Sequence, residues 1–229
     1  MTLGAVWPMG FRIEIVNDVL QRFPDLKVLL CEVKGVTISK VNPRLEEFKE
    51  QVYVDVRRRF TLEGLKDEPV FRAYRSFFWR IGIDPTKIRP AAEALIRRIL
   101  GERPLPRINT AVDAYNLASM TTCIALAAFD ISRLDGKLVM RFANKGETFL
   151  GIGMDKPLTL AGGEIVMADA SRLLAIYPYR DAEYSRITLQ TKDLVIVSCG
   201  VPGILLDQLK EAAERASKFV VRFCDGEVE

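Results

Sequence analysis

Residues 107–130, RINTAVDAYNLASMTTCIALAAFD, constrain this chain more than any other stretch. They follow a proline-rich joint, Arg103-Pro104-Leu105-Pro106, through which no helix can run. Val112, Tyr115, Asn116, Ser119 and Met120 then recur at the i, i+3, i+4, i+7, i+8 spacing of a core-facing helical stripe, so a short helix is expected. It leads into a strand ending Ala128-Phe129-Asp130. Two members of the stripe, Asn116 and Ser119, are polar and need partners wherever they are buried. A polar pair in an apolar stripe is either a structural knot or part of a site.

The chain contains no histidine. Its absence removes Ser–His and Cys–His dyads, imidazole bases and His-ligated metals in one step. Catalysis would then rest on carboxylates, Lys, Tyr, Cys, backbone groups or the substrate itself, and neither a metal nor a cofactor is expected. The four cysteines, Cys31, Cys123, Cys199 and Cys224, form no CxxC pair, which points to a reducing cytoplasm and away from a zinc ribbon or disulfide scaffold. Cys123 reads as a small core residue, because no base accompanies it. No apolar run approaches the ~18–20 residues of a membrane span. The opening MTLGAVWPMGF lacks the basic and apolar regions of a signal peptide, so a cytoplasmic location without membrane contact is expected.

Charge is uneven. The net charge is +3, yet residues 57–107 hold 13 Lys/Arg against 6 Asp/Glu. A basic segment on a slightly acidic body is either a phosphate-contacting face or a set of solvated helix surfaces. Two helices supply much of it, over 69–81 and 90–100, with Arg75, Arg80, Arg89, Arg97 and Arg98. In the first of these, Val70, Tyr74, Phe77, Phe78 and Ile81 face inward and Gly82 ends the helix.

Elsewhere the periodicity predicts strands over 11–15 and 26–36 around a short helix at 17–23 that stops at Pro24. A helix from Pro43 carries Leu45, Phe48, Val52 and Val56 on one stripe. After the central stretch come apolar runs at 137–142, 148–152, 164–168, 173–179, 186–189 and 194–199, separated by glycine turns. An amphipathic helix over 204–219 turns Leu205, Leu209, Ala212 and Ala216 inward. The pattern is α+β, with helices in the first half and a mostly antiparallel sheet in the second. At 229 residues the chain can bury a sizeable core.

Phosphate-loop signatures fail: Gly151-Ile152-Gly153 lacks a following helix, and Gly200-Val201-Pro202-Gly203 reads as a turn. Other pieces carry more. They begin with Leu105-Pro106-Arg107-Ile108-Asn109, Val112-Asp113-Ala114-Tyr115-Asn116 with Ser119, Phe129-Asp130-Ile131 and Leu134-Asp135-Gly136. They continue through Arg141, Gly146-Glu147, Gly163-Glu164-Ile165-Val166, Ala168-Asp169, Tyr179-Arg180-Asp181 and Ile187-Thr188-Leu189-Gln190-Thr191. In this order and spacing the chain resembles the B3/B4 domain, the tRNA-editing part of the phenylalanyl-tRNA synthetase β chain, and in particular the free-standing proteins made of that domain.

The resemblance implies one B3/B4-like domain over 1–229, with a strand-and-helix lead-in over about 11–104, a core over 105–203 and a C-terminal helix over 204–220. Its mostly antiparallel mixed sheet is covered by the first-half helices and the C-terminal one. It implies a partner, tRNA and not DNA, whose mischarged 3′ end is received and whose wrong aminoacyl ester is hydrolysed. An ester on a ribose can be cleaved by a positioned water with help from the ribose hydroxyls, so a protein base is not mandatory.

Against the synthetase pocket, Asn116 matches an asparagine and Tyr115 stands in place of a threonine. Ala127 takes the position of a histidine and Val197 that of a glutamate. The resemblance therefore puts substrate on Tyr115, Asn116, Ser119 and Arg180, with Asn116 and Arg180 as catalytic candidates. Arg180 has the planar fork that clamps a phosphate or carboxylate, or else pairs with Asp181 or Glu183. Arg75, Arg80, Arg89, Arg97 and Arg98 would hold the tRNA backbone. The missing histidine and glutamate leave open an alternative, a non-catalytic module that binds tRNA or a free amino acid.

Overall fold

The computed structural model describes residues 12–229, so Phe11, the first residue of the expected opening strand, lies outside the described residues. The chain enters as β1 (Ile13–Ile15), α1 (Asn17–Arg22) and β2 (Val28–Lys34). Three helices follow, each begun beside a proline. In α2 (Pro43–Arg59) the side-chain oxygen of Asn42 accepts the Arg44 and Leu45 N–H groups, while Pro43 sits where no donor is needed. α3 (Pro69–Arg80) opens on Pro69, and α4 (Ala91–Leu100) follows Pro90 and ends at Gly101.

After the proline joint, Asn109 caps α5 (Thr110–Thr122) by accepting the Val112 N–H at 3.0 Å. The second half runs β3 (Leu126–Asp130), β4 (Leu138–Phe142), β5 (Thr148–Phe149), β6 (Leu158–Thr159) and β7 (Ile165–Ala168). It continues through β8 (Leu173–Ile176), β9 (Arg180–Asp181) and β10 (Leu194–Cys199) to α6 (Leu206–Cys224) and β11 (Glu227–Val228).

The fold is α+β, and the strands pair mostly antiparallel. One sheet has the order β11-β2-β10-β3 and the other β1-β4-β7-β8-β9, with β1 parallel to β4; β5 and β6 form a separate hairpin. The expected division into a helical half and a sheet half is softened here, because β2 from the first half lies between β10 and β11. α6 packs on β2 and β10 on one side and on α5 on the other.

Four local expectations change. Residues 186–189 form no strand, because Thr188 and Thr191 turn the chain with their hydroxyls: Thr191 Oγ1 accepts the Thr188 N–H and Thr188 Oγ1 accepts the Gln190 N–H. The strand over 148–152 is cut to Thr148–Phe149, and the chain turns by Gly153 at φ 75°. The run over 173–179 ends as a strand at Ile176, before the cis Tyr177–Pro178 bond. Leu205 is 69% exposed, since it stands at the N-cap of α6 and not on its inward face.

The central helix is not a striped surface helix. From Thr110 to Met120 all of α5 is buried except Asn116, because α2, α4, α6 and β3 surround it. Such a helix has no polar face to present. Among the described residues no helix is long and apolar enough to cross a membrane.

Candidate functional site

The polar residues of α5 divide into ties and open groups. Ser119 donates its hydroxyl to the Ile124 carbonyl at 2.6 Å, closing the helix end where Cys123 takes a left-handed conformation at φ 63°. Asp113 accepts the Ile108 N–H at 3.1 Å with one oxygen and binds Lys49 Nζ at 2.7 Å with the other. Lys49 also reaches Glu46 at 2.6 Å, and Glu46 holds Arg107 at 2.9 Å. Burial alone would lower the pKa of Lys49, but its hydrogen bonds to Asp113 and Glu46 outweigh that and raise it.

Asn116 is different. It is half-buried, and its amide has no hydrogen-bond partner among the described residues. Its neighbour Tyr115 has a phenol whose pKa is raised by burial and by the charges of Asp181 and Asp113.

Strands of both sheets and the start of α4 enclose a small pocket of about 60 Å³. Leu126, Ala127, Met167, Ala175, Tyr177, Cys199 and Asp181 are among its walls. Buried tyrosine hydroxyls fix the end of β10 beside it, and Tyr177 also lines it. Tyr74 donates to the Cys199 carbonyl at 2.5 Å and accepts the Ala125 N–H at 3.1 Å, locking the end of β10 to the approach of β3. Tyr177 donates to the Gly200 carbonyl at 2.5 Å. Only glycine fits at 200, since a Cβ there would stand 2.4 Å from the Lys27 carbonyl oxygen.

Ala127 and Val197 are direct cross-strand partners on β3 and β10. Directly opposed residues share one face of a sheet, so these two positions form a single patch. Both are apolar and buried, Ala127 in the pocket wall and Val197 at 0% exposure.

Asp181 brings a carboxyl group into the pocket wall. Burial pushes its pKa up to about 7. Its carboxyl has neither a hydrogen bond nor an ion pair among the described residues. Arg180 and Asp181 alternate along β9 and so face opposite ways. The stem of Arg180 lies across Gly151, where a Cβ would be 2.5 Å from Arg180 Cδ, and Arg180 does not line the pocket.

The structure thus brings Tyr115 within electrostatic reach of Asp181 and sets Arg180 apart. Neither Asn116 nor Ser119 lines the pocket. Sequence reasoning treated Asp181 only as a partner for Arg180. β9 is only two residues long, so no alternation in the sequence marks which of the pair turns inward.

The five arginines meet different fates. Arg75 binds Glu93 at 2.8 and 2.5 Å, and Arg97 binds it at 2.7 Å. Glu93 is fully buried; burial would raise its pKa, but the two guanidinium groups hold it below the usual carboxylate range. Arg98 donates to the Pro104 carbonyl at 2.7 Å. The guanidinium groups of Arg80 and Arg22 each donate to the other's backbone carbonyl at 3.3 Å, and Arg80 covers the Phe23 ring at 4.7 Å. Arg89 is exposed and has no partner among the described residues.

A larger open groove of about 660 Å³ is lined by Arg141, Glu147, Arg172, Ala182 and Tyr184, among others. Its charges are internally engaged. Arg141 grips Glu147 at 2.9 and 2.7 Å, which holds that carboxyl at about 2, and Arg172 lies 3.8 Å over the Tyr184 ring.

Comparison with known proteins places these features. Among curated sequences, the phenylalanine–tRNA ligase beta subunit of Chromobacterium violaceum is 25% identical over 157 residues, covering 58% of this chain and 20% of that one. That of Colwellia psychrerythraea is 32% identical over 117 residues, 51% of this chain and 14% of that one. The matched part is therefore a fifth or less of those relatives. Among solved structures, an N-terminal fragment of the phenylalanyl-tRNA synthetase beta subunit from Pyrococcus horikoshii shares the fold, with a TM-score of 0.52 at 12% identity, over 98% of this chain and 52% of that fragment. The family model described as the B3/4 domain matches residues 73–225, from within α3 to just past α6, and the chain belongs to that family.

Proposed function

We propose that this chain, acting as one B3/B4-like domain over its whole length, binds the aminoacylated 3′ end of tRNA and hydrolyses a mischarged ester in trans. The observation that carries this reading is the enclosed pocket at Ala127, cross-strand from Val197. Those are the positions at which the synthetase domain's histidine and glutamate are expected, and here a carboxylate, Asp181, enters the same pocket from β9. A pocket without imidazole cleaves an ester by holding it against a positioned water, with the vicinal ribose hydroxyl assisting the departure of its neighbour. The protein's part is binding, orientation and exclusion of bulk water.

The test is a panel of mischarged tRNAs incubated with catalytic amounts of protein. Shortened ester lifetimes for at least one aminoacyl group support the reading, and lifetimes unchanged across the panel sink it. A second reading, a binding module without catalysis, has its own support: Ala127 and Val197 bring no acid or base to the patch they share. Salt-dependent tRNA binding without hydrolysis selects it.

A further inference from the structure

Asp181 is out of place energetically. A carboxylate facing apolar walls destabilises a fold unless a cation completes it. Lys49, Arg75 and Arg97 are held by carboxylates elsewhere, and no lysine or arginine lines this pocket. Without a ligand the carboxyl is relieved by holding its proton, and a ligand that brings a cation would complete the carboxylate instead. Partly buried and unmatched groups of this kind concentrate at binding sites.

Size narrows the ligand. A volume of about 60 Å³ is well under the roughly 150 Å³ of an apolar cavity that takes benzene, so it suits a small aliphatic group better than a phenyl or phenol ring. The walls agree: Ala127, Leu126, Met167 and Ala175 offer only apolar contact, and the Tyr177 hydroxyl is already engaged by the Gly200 carbonyl.

We propose that this pocket receives an esterified amino acid with a small aliphatic side chain, its α-ammonium paired with the Asp181 carboxylate and its side chain against Ala127 and Met167. The inference rests on the reading of this chain as a binder of aminoacylated tRNA ends, and it names the substrate class of that site. Asp181 is a binding group in this scheme: it holds the nitrogen and leaves the ester carbonyl to the water.

The experiment uses the full chain and three stable mimics of the aminoacyl end, 3′-amino-3′-deoxyadenosine carrying alanine, N-acetylalanine or tyrosine through an amide. Calorimetry with wild type and Asp181→Asn, at pH 8 where the carboxylate is charged, measures each pair. Wild type is expected to bind the alanyl mimic about tenfold or more tightly than the other two, a difference of about 1.4 kcal/mol. Asp181→Asn is expected to lose that factor on the alanyl mimic and to bind the N-acetylalanyl mimic as wild type does, because the ammonium it would pair with is gone. Equal or tighter binding of the tyrosyl mimic overturns the proposal, as does an equal loss on both alanyl forms in Asp181→Asn. Absence of binding by every mimic overturns it too. In that case, retained binding of intact tRNA leaves the tRNA reading standing, and its loss removes that reading as well.

Discussion

Lys49 Nζ and Asp113 Oδ2 stand 2.7 Å apart with each side chain only 4% exposed, tying α2 to the start of α5. Asp113 lies one turn into α5, in the stretch that looked most like a site, yet its two oxygens serve Lys49 and the Ile108 N–H. Taking away Lys49 strands the Asp113 charge in the interior, and taking away Asp113 leaves Lys49 to the partly exposed Glu46 alone. Lys49→Met and Asp113→Leu are each expected to cost about 3–5 kcal/mol in urea unfolding. The double variant is expected to recover much of that loss, because it leaves neither charge behind. Purely additive losses would show that the pair is not coupled.

Tyr74 bridges two buried backbone groups, the Cys199 carbonyl and the Ala125 N–H, with one hydroxyl. Tyr74→Phe keeps the ring and leaves both groups unpaired, at an expected cost of roughly 2–4 kcal/mol. Gly200→Ala is expected to cost roughly as much by overpacking, since the new methyl would meet the Lys27 carbonyl oxygen and Leu209. Thermal melting of both variants checks these values, and a wild-type melting temperature for either contradicts the frame described for the pocket.

The pH dependence of stability carries a sign that isolates Asp181. Its pKa is 3.8 as a free side chain and about 7 when folded. Between those values the folded chain keeps a proton that the unfolded chain has released, so this residue's contribution falls as pH rises from about 4 to about 7 and is flat above. Asp181→Asn removes the penalty. It is expected to be more stable than wild type by roughly 2–4 kcal/mol at pH 8, the gap closing toward pH 4. Urea midpoints measured from pH 4 to pH 8 test it; a gap that stays constant across that range refutes the assignment.

Arginine roles can be separated by salt. Arg89 is exposed and without a partner among the described residues, whereas Arg75 and Arg97 converge on the buried Glu93. Arg89→Ala is expected to lower the slope of log affinity for tRNA against log salt by about one, leaving the melting temperature unchanged. Arg75→Ala is expected to lower the melting temperature first, because it uncovers Glu93. Filter binding at several salt concentrations, alongside melting curves, distinguishes the two behaviours.

Much of this architecture is legible in the sequence. The helices opened by Pro43, Pro69 and Pro90 and the strands at 126–130, 138–142 and 194–199 follow from proline, caps and apolar runs, which are local signals. The placement of β2 between β10 and β11 is a long-range pairing that no local pattern encodes. For the same reason α5 looked amphipathic. Its polar residues Asn116 and Ser119 mark a stripe in the sequence, whereas burial of the rest of the helix comes from α2, α4, α6 and β3, which lie elsewhere in the chain. Two-residue strands such as β9 are too short to show a period, and so the inward turn of Asp181 stayed hidden.

Val33 pairs with Leu194, some 160 residues further along the chain. During synthesis at about 5–20 residues per second, β2 leaves the ribosome on the order of ten seconds before β10 does. Through that interval the Leu29-Leu30-Cys31 segment presents unpaired backbone, in the manner of an exposed sheet edge. Helices α2 to α5 can form meanwhile from local contacts, but the sheet on which Ala127 and Val197 meet has to wait. A nascent chain stalled before residue 194 would hold α1 to α5 and nearly all of the pocket's lining residues, but not the strand that brings Val197 opposite Ala127.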